Sequence, residues 1–219
     1  MNIVAHHDIS IIGYVFSIIK RFTMTGIILA GGRNSRIGLK KAFLEIGGKR
    51  IIDRIAEIYK RIFKEILIIS NTPHEYKYLG VKVYTDLIPH RGSLGGIYTG
   101  IYYSKSDYTF FSACDMPFLN EKVIRHMISQ TDDYDVIVPY FKHRLHPIHA
   151  VYSKKCLLHI KNMVVGERLK IKDLFIKSNE LKIKRITDIP EAEPSPFFNI
   201  NTTKDYKQAI DLERLCAGL

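Results

Sequence analysis

The chain has 219 residues, 46% of them hydrophobic, enough to bury the core of one large domain or two small ones. Its 33 Lys and Arg outnumber 22 Asp and Glu, and the formal charge of +11 favours an anionic partner: a nucleic acid, a membrane surface or a phosphorylated small molecule. Cys114, Cys156 and Cys216 are odd in number and lack metal-binding or redox spacing, which argues against a disulfide framework and for a reducing, cytoplasmic location.

Residues 1–23 read as an extension outside the core, because Met24 stands just before the first clear strand. Within them, 9–19 is an apolar run too short to span a bilayer and preceded by no basic segment; a membrane-surface helix is its alternative reading. From residue 26 onward, β-branched runs alternate with helical-period segments, the pattern of βα units and a mostly parallel sheet. Residues 26–30 (GIILA) form a buried first strand that enters a Gly-rich loop. Apolar residues at Ile51, Ile52, Ile55, Ile58, Tyr59 and Ile62 predict a helix over 51–63. Strands follow at 66–70 and, past a turn at Pro73, at 81–84. The Gly-rich stretch 92–96 leads into a helix, and 108–114 (YTFFSAC) is a fourth strand with Asp115 just past its carboxyl end.

The second half is less regular. Strands are expected at 136–139, 148–152 and 181–186, with antiparallel or mixed pairing, and helices at 154–163 and 167–176. A Pro-rich segment, 190–196, precedes a last strand at 198–201 and a helix from 203 to 215, with Thr202 or Thr203 as its N-cap. No repeat or long linker divides the chain, so 24–219 reads as a single domain with halves at about 25–118 and 119–215.

Three segments carry chemistry. The first is Leu29-Ala30-Gly31-Gly32, continued by Arg36, Lys40 and Lys41, directly after a strand. Consecutive glycines let backbone amides approach a phosphate, and Arg36 and Lys41 can neutralise a triphosphate. The segment lacks the Gly-Lys-Ser/Thr ending of a Walker loop and the glycine spacing of a dinucleotide fingerprint. For the two glycines alone, a plain turn is the competing explanation. The second is Asp115, whose carboxylate at a strand end, before Met116-Pro117, is placed to hold Mg²⁺ against phosphate oxygens; an isolated Asp-x-Pro is otherwise an ordinary turn. The third runs from Asp86 through Gly92 and Gly96: small residues leave room for a flat base, and Asp86 can accept from guanine's N1–H and exocyclic amine, a donor pair that adenine lacks.

LAGG followed by SRIG and Lys41 resembles the LAGGxSxRMGxDK signature of molybdenum cofactor guanylyltransferases in the nucleotidyltransferase superfamily. Ile37 stands for the usual Met and Lys40 for the usual Asp. Residues 86–97 resemble that family's D...PGxGPLxGI with Ser93 for a Pro, and Asp115 matches the Asp of its DMP or DTP motif. His146 to Tyr152 resembles its HPxxAxY strand, Gly166-Glu167-Arg168 its GER turn, and Asn199 to Thr202 its NxNT motif. The likeness covers nearly all of 25–215 in the expected order.

It implies a Rossmann-like three-layer α/β sandwich of the nucleoside-triphosphate transferase type, with a mostly parallel central sheet. The implied reaction is GMP transfer from GTP to molybdenum-molybdopterin. Lys41, Arg36 and Asp115 would be catalytic, with Asp115 on Mg²⁺. The nucleotide would meet Leu29, Ala30, Gly31, Gly32, Lys41, Asn71, Asp86, Gly92, Gly96 and Asp115, and the pterin phosphate Arg168, Asn199 and Asn201. Transient contact with other enzymes of cofactor synthesis or with acceptor enzymes is expected, and none with nucleic acid or membrane. Two readings stay open beside it: a sister transferase using CTP or a sugar phosphate, and a nucleotide-binding adaptor without turnover.

Overall fold

The computed structural model describes residues 24–31, 40–177, 180–191 and 194–218. The expected N-terminal extension with its apolar run, and the loop residues Gly32 and Arg36, lie outside them. β1 (Met24–Leu29) is buried along its whole length, as a strand covered by helices on both faces must be. It pairs in parallel with β4 (Glu65–Ile69) on one side and β6 (Tyr108–Ala113) on the other, and β5 (Lys82–Tyr84) extends the sheet beyond β4.

Past β6 the pairing reverses twice. β9 (Ala150–Ser153) joins β6 antiparallel, β7 (Val136–Phe141) joins β9 antiparallel, and β10 (Ile183–Ile186) joins β7 in parallel. With β8 (Arg144–Leu145) folded back on β7, the described residues form an eight-stranded sheet of order β10-β7-β9-β6-β1-β4-β5, and β2 (Glu45–Ile46) and β3 (Lys49–Arg50) make a separate antiparallel pair. Two successive reversals leave β7 and β10 running with β6, so β9 and the short β8 are the reversed strands of a mostly parallel sheet. The expectation of mixed pairing in the second half is met.

Side chains alternate between two cores, as the period of 2 along a strand dictates. Ile28, Ile68 and Phe110 face one helical layer, made by α1 (Ile51–Ile62), α3 (Glu121–Ile128) and α6 (Thr203–Ala217). Ile27, Leu67 and Phe111 face the other, made by α2 (Gly92–Tyr103), α4 (Cys156–Val165) and α5 (Lys172–Lys177). The result is the expected three-layer sandwich. The stripe read from the sequence is the buried face of α1: Ile51, Ile52, Ile55, Tyr59 and Ile62 are all inside. Tyr59 satisfies its buried hydroxyl by donating to Ser112 Oγ at 2.8 Å.

Several local expectations are corrected. Residues 198–201 are not a strand: the Phe198 amide closes a turn onto Ser195 O, and the Ile200 amide donates to Asp115 O at 2.9 Å, one cross-link with no ladder. The helix expected over 167–176 is only α5, because Glu167 sits at φ 56°, which stops α4 and turns the chain before α5 begins. The Pro73 turn is a 3-10 helix, Pro73–Leu79. α3 was not anticipated, although Asn120 caps it by accepting from the Lys122 and Val123 amides. Thr202 is the N-cap of α6, in a reciprocal capping box with Asp205.

Gly26 marks where α1 closes most tightly on β1. A Cβ there would lie 2.6 Å from Tyr59 Cδ1 and closer still to the Phe63 ring, both buried. Gly26→Ala is therefore expected to cost about 1–3 kcal/mol by overpacking, read as a lowered midpoint in urea with an unchanged slope.

Candidate active site at the carboxyl edge of the sheet

From β1 the chain proceeds to β4 and β5 on one side, and β6 is then laid on the other. This is a topological switch point, where the loops leaving two adjacent parallel strands diverge and open a crevice at their carboxyl ends. The strand ends are tightly registered there. Leu29 lies opposite Ala113, the Cys114 amide donates to Leu29 O at 3.0 Å, and the Ala30 amide donates to Ile69 O at 2.9 Å. Gly31 and Asp115 thus leave neighbouring strands side by side.

Lys41 opens a short 3-10 turn, Lys41–Phe43, that returns the chain to this edge. Its Nζ donates to Asp115 Oδ2 at 2.9 Å and to Asn201 Oδ1 at 2.8 Å. Asp115 Oδ1 is buried and has no hydrogen-bond partner among the described residues. A carboxylate with one oxygen on an ammonium and the other buried and bare fits a divalent cation, whose attraction would offset the cost of burying that oxygen. The Cys114 thiol next door does not compete as a ligand or nucleophile at neutral pH, because burial and the Asp115 charge push it up to about 12.

On the β4–β5 side, Asn71 and Asp86 bind reciprocally: Asn71 Nδ2 donates to Asp86 Oδ2 at 3.2 Å, and the Asp86 amide to Asn71 Oδ1 at 3.3 Å. The carboxylate lies between bare backbone. A Cβ on Gly31 would be 3.8 Å from its Oδ2, and one on Gly96 would be 3.8 Å from its Oδ1 and 3.0 Å from Leu29 Cδ2. Gly96 thus lets α2 approach β1 and keeps the space above Asp86 open. Asp86 Oδ1 has no hydrogen-bond partner among the described residues, and burial holds this carboxyl above the ordinary range. Gly92, at φ 58°, turns the chain into α2.

The residues expected around the pterin phosphate are not one contact cluster. Asn201 is bonded to Lys41, Asn199 is exposed beside it in sequence, and Arg168 is exposed in the turn after α4. That turn reaches toward α2, where Glu167 pairs with Arg91 at 3.0 Å. His149 is fully buried, set edge-on to Phe110 and Phe197, and its ring is held neutral with burial lowering it to about 3. His146 stacks on Phe197 at 4.4 Å. Both histidines pack among aromatic rings, and neither ring nitrogen of His149 has a hydrogen-bond partner among the described residues.

Sequence reasoning missed the segment Pro73–Leu79. Its Tyr76 is buried, reaches Ala30 O from its hydroxyl at 3.5 Å and stacks on Phe43 at 5.3 Å, and its Glu75 pairs with Lys40. The available signal was Lys40 itself, a cation in a position where the resembled family carries an anion.

Comparison with known proteins identifies the family and the fold. The family profile described as a MobA-like NTP transferase domain matches residues 26–180. A protein of Clostridium perfringens (strain SM101 / Type A), named as a probable molybdenum cofactor guanylyltransferase, is 37% identical over 187 residues, covering 84% of this chain and 94% of its own. The molybdenum cofactor guanylyltransferase of Desulfosudis oleivorans is 38% identical over 192 residues, covering 85% and 94%. The crystal structure of molybdopterin-guanine dinucleotide biosynthesis protein A from Archaeoglobus fulgidus superposes with a TM-score of 0.73 at 23% identity, over 90% of this chain and 100% of that one, a likeness of fold. The chain belongs to the MobA-like NTP transferase family.

Proposed function

We propose that the chain transfers GMP from GTP to the phosphate of molybdenum-molybdopterin, releasing pyrophosphate. The reading is carried by one observation: Lys41 and Asp115, brought together across the switch point, with one buried carboxylate oxygen bare. The names of the relatives above support the same donor and acceptor.

The acceptor's phosphate monoester is already largely ionised near neutral pH, its second pKa being about 6, so no side-chain base is needed. What the protein must supply is alignment of two anions that repel each other, and positive charge where the transition state concentrates negative charge. Lys41 is a cation at that point, held by Asp115 and Asn201 at the carboxyl edge of the sheet. Arg36 and the amides of Gly31 and Gly32 are our further candidates on the triphosphate. Mg²⁺ at Asp115 would supply charge neutralisation to the phosphates when bound, keeping phosphate and water oxygens as its remaining ligands. Asp86, poised between Gly31 and Gly96, reads the guanine edge, with Asn71 orienting its carboxylate. Asn199, Asn201 and Arg168 are assigned to the acceptor phosphate.

Lys41→Ala and Asp115→Asn are each expected to lower kcat by about 10²-fold or more with the thermal midpoint little changed; near-normal turnover in both purified variants would overturn the assignment. In a thermal-shift panel with Mg²⁺, GTP should stabilise the protein more than CTP, UTP or ATP, and a larger shift with CTP would reassign the base. Because the Asp86 carboxyl is raised by burial and must be ionised to accept from guanine, GTP affinity should fall as pH drops through a point above the usual carboxylate range. Asp86→Asn should lose about tenfold or more in GTP affinity and flatten that pH profile, measured by calorimetric titration.

A further inference from the structure

Lys40 stands beside Lys41 where the resembled family has an Asp, and the structure gives it an anionic partner. Its ammonium pairs with Glu75 Oε1, and Glu75 Oε2 accepts from Thr72 Oγ1 at 2.6 Å. Both carboxylate oxygens are engaged, and the bond from Lys40 holds the Glu75 carboxyl below its ordinary range. The Thr72 amide donates in turn to Ser70 Oγ at 3.2 Å, so this chain of contacts is rooted at the end of β4. One residue on, buried Tyr76 reaches Ala30 O and stacks on Phe43, in the turn that begins with Lys41. Ala30 and Lys40 bracket residues 31–39. The segment Pro73–Leu79 therefore meets the glycine-rich loop at its start, at its end and in the turn just beyond.

We infer that Glu75 is a positioning residue for the donor nucleotide: by holding Lys40 it fixes the chain just before the turn Lys41–Phe43, so that the neighbouring Lys41 ammonium meets the triphosphate already oriented. Glu75 touches no substrate. The inference rests on the reading of Lys41 as a triphosphate contact. The side chains of the pair are 45% and 23% exposed, so it adds little to global stability. Its contribution falls instead on nucleotide affinity, because a Lys41 ammonium held in place before binding loses less entropy when it meets its ligand. Two lysines in succession would also compete for one anion. Glu75 removes Lys40 from that competition and leaves Lys41 to Asp115 and the ligand.

The test uses the full chain, with calorimetric titration of GTP in Mg²⁺ and steady-state kinetics beside it. Lys40→Glu and Glu75→Lys should each weaken GTP binding about fivefold, the scale of a partly exposed ion pair. The acceptor KM should stay within about twofold and the thermal midpoint within a degree or two. The double variant K40E/E75K should recover to within about twofold of wild type. That recovery is diagnostic, because a glutamate at 40 that acted merely by repelling phosphate would remain harmful in the double variant. Glu75→Gln, which preserves shape and the Thr72 contact, should weaken GTP in the same direction and covers the case in which a reversal fails to fold. Unchanged affinity in the single variants, no recovery in the double, or tighter binding by Glu75→Gln, as a directly phosphate-binding Lys40 would give, each overturns the inference. If the wild-type chain binds no nucleotide at all, the triphosphate reading itself falls, and this inference with it.

Discussion

The ammonium of Lys41, shared between Asp115 at 2.9 Å and Asn201 at 2.8 Å, joins three stretches of chain that are remote in sequence. Asp115 is supplied by the end of β6, Lys41 by the return from the glycine-rich loop, and Asn201 by the segment that crosses in front of β6 and is pinned there by the Ile200 amide on Asp115 O. The pair is partly exposed, at 22% and 16% of the two side chains, which keeps it exchangeable. An anion arriving in the crevice can draw Lys41 off Asp115, and a cation can take the oxygen so released. A fully buried pair would resist that exchange, since separating it would strand both charges.

Around this contact the sheet order divides the functional edge. β4 and β5, with Asn71 and Asp86 at their ends, lie to one side of β1. β9, β7 and β10, with the segment carrying Asn199 and Asn201, belong to the other half of the sheet and the layer beneath it. A donor nucleotide read at Asp86 and an acceptor held near the asparagines would meet over β1 and β6. The C-terminal helix keeps this geometry: α6 is capped at Thr202 and fastened to α1 by the paired bonds from Arg54 to Glu213, at 2.6 and 2.9 Å. Tyr206 adds a bond to Glu45 O at 2.8 Å. The asparagine segment is thereby held at both ends, by the helix that follows it and by Asp115.

Much of this was legible in advance. The apolar runs became β1, β4, β6 and β7 because strands covered on both faces must be largely apolar, whereas β5 and β10, at the two ends of the sheet, are only partly buried and keep charged residues among their β-branched ones. The stripe of α1 was legible for the complementary reason, that a helix buried on one side must repeat its apolar residues at 3.6 spacing. α3 follows the same rule through Val123, Ile124, Met127 and Ile128 and could have been read. Residues 198–201 misled because Phe198 and Ile200 alternate like a strand: Ile200 is buried and Phe198 half-buried, but no neighbouring strand is free to pair with them.

By itself the sequence determined the alternation of elements, the glycine-rich exit from β1 and the carboxylate at the exit from β6, since these depend on local backbone freedom and on the period of hydrophobic burial. Tertiary structure decided which charges meet. That Lys41 pairs with Asp115 and Asn201, that Asp86 faces Gly31 and Gly96, and that Lys40 turns away to Glu75 all follow from which strands lie side by side. Contacts between residues so distant along the chain are set by the packing of the whole sheet, and no local pattern encodes them.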